Sequence, residues 1–239
     1  MLRRFPRRVG PPSDPSARPF RRIDFHSHSY LTDGDTSATE MWHAARLLEH
    51  RALALTDHVS IEDPRPLLDR LHEEAAAWAD DHFRPVVGVE ITKVPPRRIA
   101  DVARAARHAG AEIVIVHGET ISESVPSGTN HAAIDSGLVD VLAHPGLIAP
   151  EDVDLARAHG VVLEISARRA HAFTNGHVAG LALERGVELV VDSDAHAPEQ
   201  LVPPAFARRL ALGAGVPAHE LERVLETTPE RLLAKLRRG

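Results

Sequence analysis

Two histidines near the start of the sequence are spaced to bind one metal ion. His26 and His28 follow a short apolar run, 23–25, and residues two apart in an extended segment project to the same side. Asp33 follows after a short loop, and Gly34 beside it permits a backbone turn. Paired histidines also occur as ordinary polar residues, so the pair alone leaves a metal site and a plain polar segment both open.

The same arrangement recurs along the chain. Further apolar runs at 52–56, 85–89, 113–116, 139–143, 161–163 and 189–191 each end in, or lead into, a residue type that binds metals. Those residues are Asp57, His58, Glu90, His117, His144, Glu164, Asp192, Asp194 and His196. Helical patterns separate the runs, which predicts strand–helix units with a parallel sheet. In a parallel barrel the carboxyl ends of all strands meet on one face, so we predict an α/β barrel with its metal site there.

Composition bounds the class of protein. The 239 residues are 43% hydrophobic and 26% charged, enough for one sizeable core. The sequence has no cysteine, which excludes disulfides and thiolate metal sites. A formal net charge of -6 disfavours nucleic-acid binding through an overall basic surface but leaves a local groove open. No apolar run approaches the ~20 residues that cross a bilayer, so we expect a soluble, cytoplasmic protein with no membrane partner.

The first 21 residues differ from the rest because arginines alternate with prolines and few are apolar. This composition predicts a flexible arm over 1–21, followed by a single barrel domain over 22–239. The arm is open to three interpretations: a nucleic-acid arm, a targeting segment without a secretory apolar region, or a surface tail of little consequence.

Helix signals flank the predicted strands. Ser37 and Glu40 have capping-box spacing for the first helix, and a second helix is predicted over 67–81. Near the end of the chain, one or two closing helices are predicted over 217–237. Thr228 is their predicted N-cap, with Pro229 at the first helical position.

Two polar loops, 118–131 and 166–177, leave the predicted catalytic face, where substrate contacts belong. Any single residue in these loops could equally be an ordinary solvent-exposed residue or a substrate contact. Arg168 is the exception that we favour, because a guanidinium offers a fork of donors matched to phosphate oxygens. Arg169 is its rival for the same role.

The ordered motifs resemble those of the PHP (polymerase and histidinol phosphatase) family across 24–196. The matching segments are His26-Ser27-His28, Thr32-Asp33-Gly34, Leu55-Thr56-Asp57-His58, Gly88-Val89-Glu90, His117, His144-Pro145 and Asp194-Ala195-His196. The resemblance implies a distorted seven-stranded (βα)7 TIM-like barrel with two or three divalent ions that hydrolyse phosphoesters. The loops 120–130 and 168–176 depart from the pattern expected of a histidinol phosphatase.

Carried over residue by residue, the resemblance implies three ion positions. His26, His28, Glu90 and Asp194 hold the first, and Glu90 bridges to a second that is bound by His117 and His144. Asp33, His58 and His196 hold the third. Nitrogen and oxygen donors without sulfur suit Mn, Zn or Fe. We interpret Asp57 and Asp192 as groups that orient imidazoles.

The implied reaction is attack on phosphorus by a hydroxide generated on the metal cluster, with Arg168 holding a non-bridging oxygen. A third-site water, His171 or His131 would protonate the leaving group. Three hypotheses follow: a phosphomonoesterase on a small phosphorylated metabolite, a nuclease or nucleotide phosphodiesterase, and a non-catalytic scaffold. The first is favoured by the overall acidity and single domain, the second has the basic arm as support, and the third ranks last because no ligand is missing.

Overall fold

The computed structural model describes residues 20–236, and within them a parallel sheet curls into a nearly closed barrel, as predicted. The strands are β1 Ile23–Asp24, β2 Ala52–Leu55, β3 His58–Val59, β4 Arg84–Ile91, β5 Ile113–His117, β6 Val141–Ala143, β7 Val162–Ser166 and β8 Leu189–Asp192. Seven of them form the wall in the order β1-β2-β4-β5-β6-β7-β8. The short β3 continues the chain from β2 and pairs with the end of β4, with His58 opposite Glu90.

Within residues 20–236, eight α-helices pack against this sheet. They are α1 Ala38–Leu47, α2 Arg65–Ala75, α3 Ile99–His108, α4 Thr129–Asp135, α5 Pro150–His159, α6 Asn175–Arg185, α7 Pro204–Gly213 and α8 Thr228–Lys235. Outward side chains of the strands pack against the helices, while a second buried cluster fills the barrel interior. Leu232 and Leu233 of α8 belong to the interior cluster, and the Leu233 carbonyl accepts from Arg84 at the start of β4. Helix α8 therefore covers the amino-terminal end of the barrel, opposite the strand ends.

The helix boundaries confirm one of the predicted helix signals and differ from two others. The Ser37 capping box is confirmed, with both of its reciprocal bonds to Glu40 formed. The second helix covers Arg65–Ala75 rather than 67–81. The prediction that Thr228 caps the last helix is wrong, because a π-helical turn, Arg223–Thr227, leads directly into it. Thr228 has helical backbone angles, φ -62 and ψ -48, whereas an N-cap residue is extended.

The barrel closes between β1 and β8 largely through side chains. Arg22 donates to the Val191 carbonyl at 2.7 Å, and Asp192 accepts from the Phe25 amide at 2.8 Å. Asp24 accepts from the Ser193 amide at 3.0 Å and pairs with Arg22 at 2.9 Å. Backbone pairing resumes only beyond the strands, at the bridge between Ser27 and Ala195. Buried side chains therefore replace the missing ladder bonds at this seam.

Most of the predicted arm, residues 1–19, lies outside the described residues. Its last two residues are described and contact the barrel. Phe20 packs against the helix-side core, and Arg21 donates to the carbonyls of Glu49, His50 and His82. A truncation that tests the arm therefore ends at residue 19. Among the described residues no helix has the length and apolar character needed to span a membrane.

We predict that the seam contributes strongly to stability. Asp24 is fully buried and Arg22 is 2% exposed, so Asp24→Ala leaves a buried guanidinium without its carboxylate. Such a loss costs about 3–5 kcal/mol, measured as the change in the free energy of unfolding in urea.

The matched control is Asp63→Ala, which removes an exposed partner of Arg65 and should change stability little. Equal effects of the two substitutions would contradict the structural role of the seam.

Candidate metal centre

All nine predicted metal ligands lie together at the carboxyl-terminal face of the barrel. Asp33 and His58 are partly exposed and the other seven are buried. Their donor atoms fall into overlapping groups in which every atom lies within 4.8 Å of the others. The groups are His28, Asp33, His58 and His196; His26, Glu90 and His144; His26, His28 and Asp194; and His117, His144 and His171. His28 therefore also lies near the ligands implied for the third ion. His171 lies near the ligands implied for the second ion.

The seam sets the spacing of the ligands from the first and last strands. The Asp194 amide donates to the His26 carbonyl at 2.9 Å, and the His28 amide donates to the Ala195 carbonyl at 2.8 Å. These backbone bonds fix the imidazoles of His26 and His28 relative to the Asp194 carboxylate. The side chains therefore approach one another because their backbones are directly bonded.

A strained backbone turns His144 into the site. Ala143, at the end of β6, contributes to the barrel interior, so an extended chain would point the next side chain outward. His144 instead has φ 28, in the region that residues other than glycine rarely adopt. Its Nε2 atom consequently lies 3.5 Å from Glu90 Oε1. Asp194 also has positive φ, 50, and residues in such conformations cluster at functional sites.

The Glu90 carboxylate lies at the centre of the cluster. Its Oε2 atom is 2.9 Å from His58 Nδ1, 3.4 Å from His26 Nε2 and 3.6 Å from His28 Nε2. Most of these separations are long for a hydrogen bond. Two donors at about 2.0–2.1 Å from one tetrahedral ion lie about 3.3 Å apart. The separations of Glu90 from His26 and His28 therefore suit donors that share a cation, whereas His58 Nδ1, which also contacts Thr92, lies at a hydrogen-bond distance.

Unpartnered buried atoms give a second test of whether the site fits metal ions. Within the described residues, His26 Nε2, both ring nitrogens of His28 and Glu90 Oε1 are buried and hydrogen-bond to no protein atom. Leaving such groups unsatisfied is costly. A divalent cation is the partner that imidazole nitrogens and carboxylate oxygens share, so the donor set fits metal ions.

The charge balance of the cluster points the same way. Burial alone would raise the pKa of Glu90, but His26 and His58 hold that pKa well below its usual range. Burial opposes the charging of His26, yet Glu164 and Glu90 raise its pKa well above the usual value. Burial lowers the pKa of His28 to about 4. The buried carboxylates thus stay ionised and need positive charge nearby, which protons or metal ions supply.

The side chains that orient the histidine rings differ from those predicted. The His26 Nδ1 atom lies 2.6 Å from Glu164 Oε2, and the His58 Nδ1 atom lies 2.7 Å from Thr92 Oγ1. The expectation that Asp57 and Asp192 orient imidazoles is wrong. Asp57 accepts from the amide and hydroxyl of Ser29 and from the Thr32 hydroxyl, so it shapes the loop toward Asp33, and Asp192 serves the seam.

Of the residues predicted to contact the substrate, Arg168 lies at the centre, whereas Arg169 and His131 do not. Arg168 reaches the metal cluster, with Nη1 3.6 Å from Asp194 Oδ1 and in contact with the His196 ring. Arg169 is exposed and lines only the neighbouring cavity. His131 lies away from the centre, pairing with Asp152 at 2.8 Å with its side chain 64% exposed, so the structure does not bring this alternative proton donor to the site.

His171 is buried and stacks on His144 with ring centroids 4.0 Å apart. Burial and the nearby His144 lower its pKa to about 3, which leaves a neutral imidazole. Glu123 is a residue that sequence reasoning missed, and it faces His117 and His171 from the loop after β5. The polar density of that loop was its one sequence signal.

The centre opens into two adjoining cavities. One, of about 370 Å³, lies over the cluster and is also lined by Lys93, Glu123 and Arg168. The other, of about 910 Å³, extends past Arg168 and Arg169 toward Phe206. The two cavities together therefore leave room for a ligand both over the donor atoms and beside Arg168.

Comparisons with known proteins agree with this fold. No family model matches the sequence. The chain is 41% identical over 218 residues to an uncharacterized protein of Methanocaldococcus jannaschii, covering 90% of this chain and all of that protein. It is 28% identical over 232 residues to ribonuclease P protein component 3 of Methanosarcina acetivorans, covering 90% of each.

Among solved structures, the fold resembles a histidinol phosphate phosphatase from Lactococcus lactis subsp. lactis in complex with zinc, L-histidinol and phosphate. The TM-score is 0.61 at 15% identity, covering 82% of this chain and 94% of that one. The chain shares a family with its 41% identical relative. With its ordered ligand motifs, the chain belongs to the PHP (polymerase and histidinol phosphatase) family.

Proposed function

We propose that the protein is a metal-dependent phosphomonoesterase that acts on a small phosphorylated metabolite. The observation that carries the proposal is Arg168, whose guanidinium reaches Asp194 beside a cluster of nine convergent donors. Zinc-, L-histidinol- and phosphate-bound histidinol phosphate phosphatase has the same fold, which supports a similar class of substrate. The polar loops 120–130 and 168–176 depart from the pattern expected of a histidinol phosphatase, so we do not assign histidinol phosphate as the substrate.

The charges around the centre favour a small substrate over a nucleic acid. Among the described residues, the lysine and arginine side chains lining the two cavities are Lys93, Arg168 and Arg169. Acidic side chains, including Glu62, Glu123 and Glu199, lie between and beside them. A nucleic-acid strand is usually tracked by a continuous basic groove, and these walls form none.

The residues divide the chemistry as follows. The nine predicted ligands would hold divalent ions, which when bound would lower the pKa of a water molecule and offset the charge of phosphoryl oxygens. Arg168 binds a non-bridging oxygen with its fork of donors. Glu164 and Thr92 orient the His26 and His58 rings, so that their other ring nitrogens face the cluster. The second cavity, beyond Arg168, takes the leaving group.

A nuclease activity is the second candidate, because the chain is 28% identical to ribonuclease P protein component 3. A screen with manganese-loaded protein separates the two. Phosphorylated metabolites and short RNA and DNA oligonucleotides are assayed in parallel, with full-length protein and with a variant lacking residues 1–19. We expect phosphate release from metabolites in both, whereas cleavage of oligonucleotides alone would favour the nuclease.

We predict two or three bound ions per chain, of Mn, Zn or Fe. Because Glu90 approaches four imidazoles, Glu90→Gln should lose more metal and more activity than His58→Ala, which removes one ligand at the rim. Elemental analysis of protein purified without chelator measures both losses. The reverse order would contradict the central position of Glu90, and less than one ion in the unmodified protein without uptake on reconstitution would contradict the metal site.

We predict that Arg168→Ala keeps the full metal content but lowers kcat/KM for a phosphomonoester by about two to three orders of magnitude, on the order of 3–4 kcal/mol. The expected cause is loss of the forked contact to a phosphoryl oxygen. Arg168→Lys should recover only part of the rate, since an ammonium lacks the fork.

Arg169→Ala is the matched control, because that exposed side chain lines the outer cavity alone, and it should change kcat/KM much less. Steady-state kinetics with parallel metal analysis measures all three variants. Full activity in metal-loaded Arg168→Ala would place the phosphate elsewhere.

A further inference from the structure

Three buried imidazoles form a group at one side of the centre. His117 ends β5, His144 follows β6, and His171 lies in the loop after β7. Each has a ring nitrogen within 4.8 Å of the others. The family resemblance implies only His117 and His144 as imidazole ligands here. His171 therefore adds a third nitrogen that the resemblance does not assign.

Hydrogen bonds fix how two of these rings face the group. The His117 Nδ1 atom lies 3.1 Å from the Gly118 carbonyl, which can only accept, so Nδ1 carries the proton and Nε2 keeps its lone pair. The His171 Nδ1 atom is held by the hydroxyls of Thr120 at 2.9 Å and Ser122 at 3.1 Å. The Nε2 atoms of both rings are thereby turned toward the centre, as in metal-binding histidines.

A carboxylate from the loop 118–128 meets both of these nitrogens. Glu123 Oε2 lies 3.4 Å from His117 Nε2, and Glu123 Oε1 lies 3.6 Å from His171 Nε2. These separations are long for hydrogen bonds and close to the roughly 3.3 Å between two donors on one tetrahedral ion. The Glu123 side chain is 42% exposed, so it closes the group from the solvent side.

The same loop supplies Thr120, Ser122 and Glu123, and its base is anchored. The backbone amide of Glu119 donates to Asn130 Oδ1 at 2.9 Å, and the backbone amide of Asn130 donates to Glu119 Oε1 at 2.9 Å. Gly146, with φ 64, lies so close beneath that a Cβ atom would be 1.8 Å from the Glu119 carbonyl oxygen. The loop is therefore held in a position where its hydroxyls orient His171 and its Glu123 carboxylate lies near His117 and His171.

We propose that Glu123 and His171 are ligands of the second metal position, adding one carboxylate and one imidazole to His117, His144 and the bridging Glu90. The inference rests on the proposed metal dependence. Imidazole and carboxylate donors without sulfur suit zinc. The three imidazoles of this position are buried, whereas Asp33 and His58 of the third set are partly exposed, so we expect the second position to bind its ion more tightly than the third.

The test compares metal binding by chelator-stripped protein and its variants. Zinc affinity is measured by competition with a chromophoric chelator, and Co²⁺ absorption reports the ligand geometry independently of activity. Glu123→Gln and His171→Ala should each weaken one of the sites by at least about tenfold and change the Co²⁺ spectrum, with the other sites unaffected.

Matched controls are Glu62→Gln, a carboxylate on another wall of the same cavity that hydrogen-bonds to Ser60, and His131→Ala, an exposed histidine. Both should bind zinc as the unmodified protein does. Unchanged zinc titrations and Co²⁺ spectra in both Glu123→Gln and His171→Ala, beside an unmodified protein that binds its ions, would overturn this inference alone. Absence of metal binding in the unmodified protein would overturn the proposed function as well.

Discussion

The interaction on which the site depends is the burial of ionised carboxylates among imidazoles. Glu90 and Asp194 are almost fully buried, and Glu90 lies within 3.6 Å of four histidine rings. Burying charge without compensation is prohibitive, and the separations are mostly too long for hydrogen bonds to supply that compensation. Divalent cations would satisfy the carboxylates and the unpartnered imidazole nitrogens at once, and the donor groups at this end of the barrel are arranged so that they could hold them.

The barrel holds these donors in place through its least regular part. A complete ladder between β1 and β8 would need only backbone bonds, whereas here Arg22, Asp24 and Asp192 join the strands with side chains. Backbone pairing resumes at Ser27 and Ala195, between the ligands themselves. The seam and the metal centre are therefore neighbours along the same two segments, so the stability of one affects the geometry of the other. The positive φ of His144 adds a strained turn that brings a further ring inward.

Much of this was predictable from the sequence because the ligands follow strands, and strands are visible as apolar runs. The parallel barrel, the convergence of nine donors and the capping box at Ser37 were all predicted. Contacts between distant loops were not. Glu164 rather than Asp192 supports His26, since only the three-dimensional register shows which carboxylate lies behind which ring. Glu123 had no strand to mark it, and the cap predicted at Thr228 failed because tertiary packing extends helical backbone before it.

The most direct test of the account is a crystal structure of metal-loaded protein with anomalous diffraction data collected on both sides of the metal absorption edge. Two or three anomalous peaks are expected among the imidazoles of His26, His28, His58 and His144, with the Glu90 carboxylate contacting more than one of them. A difference map without peaks at these side chains, in crystals grown with excess Mn²⁺ or Zn²⁺, would contradict this expectation.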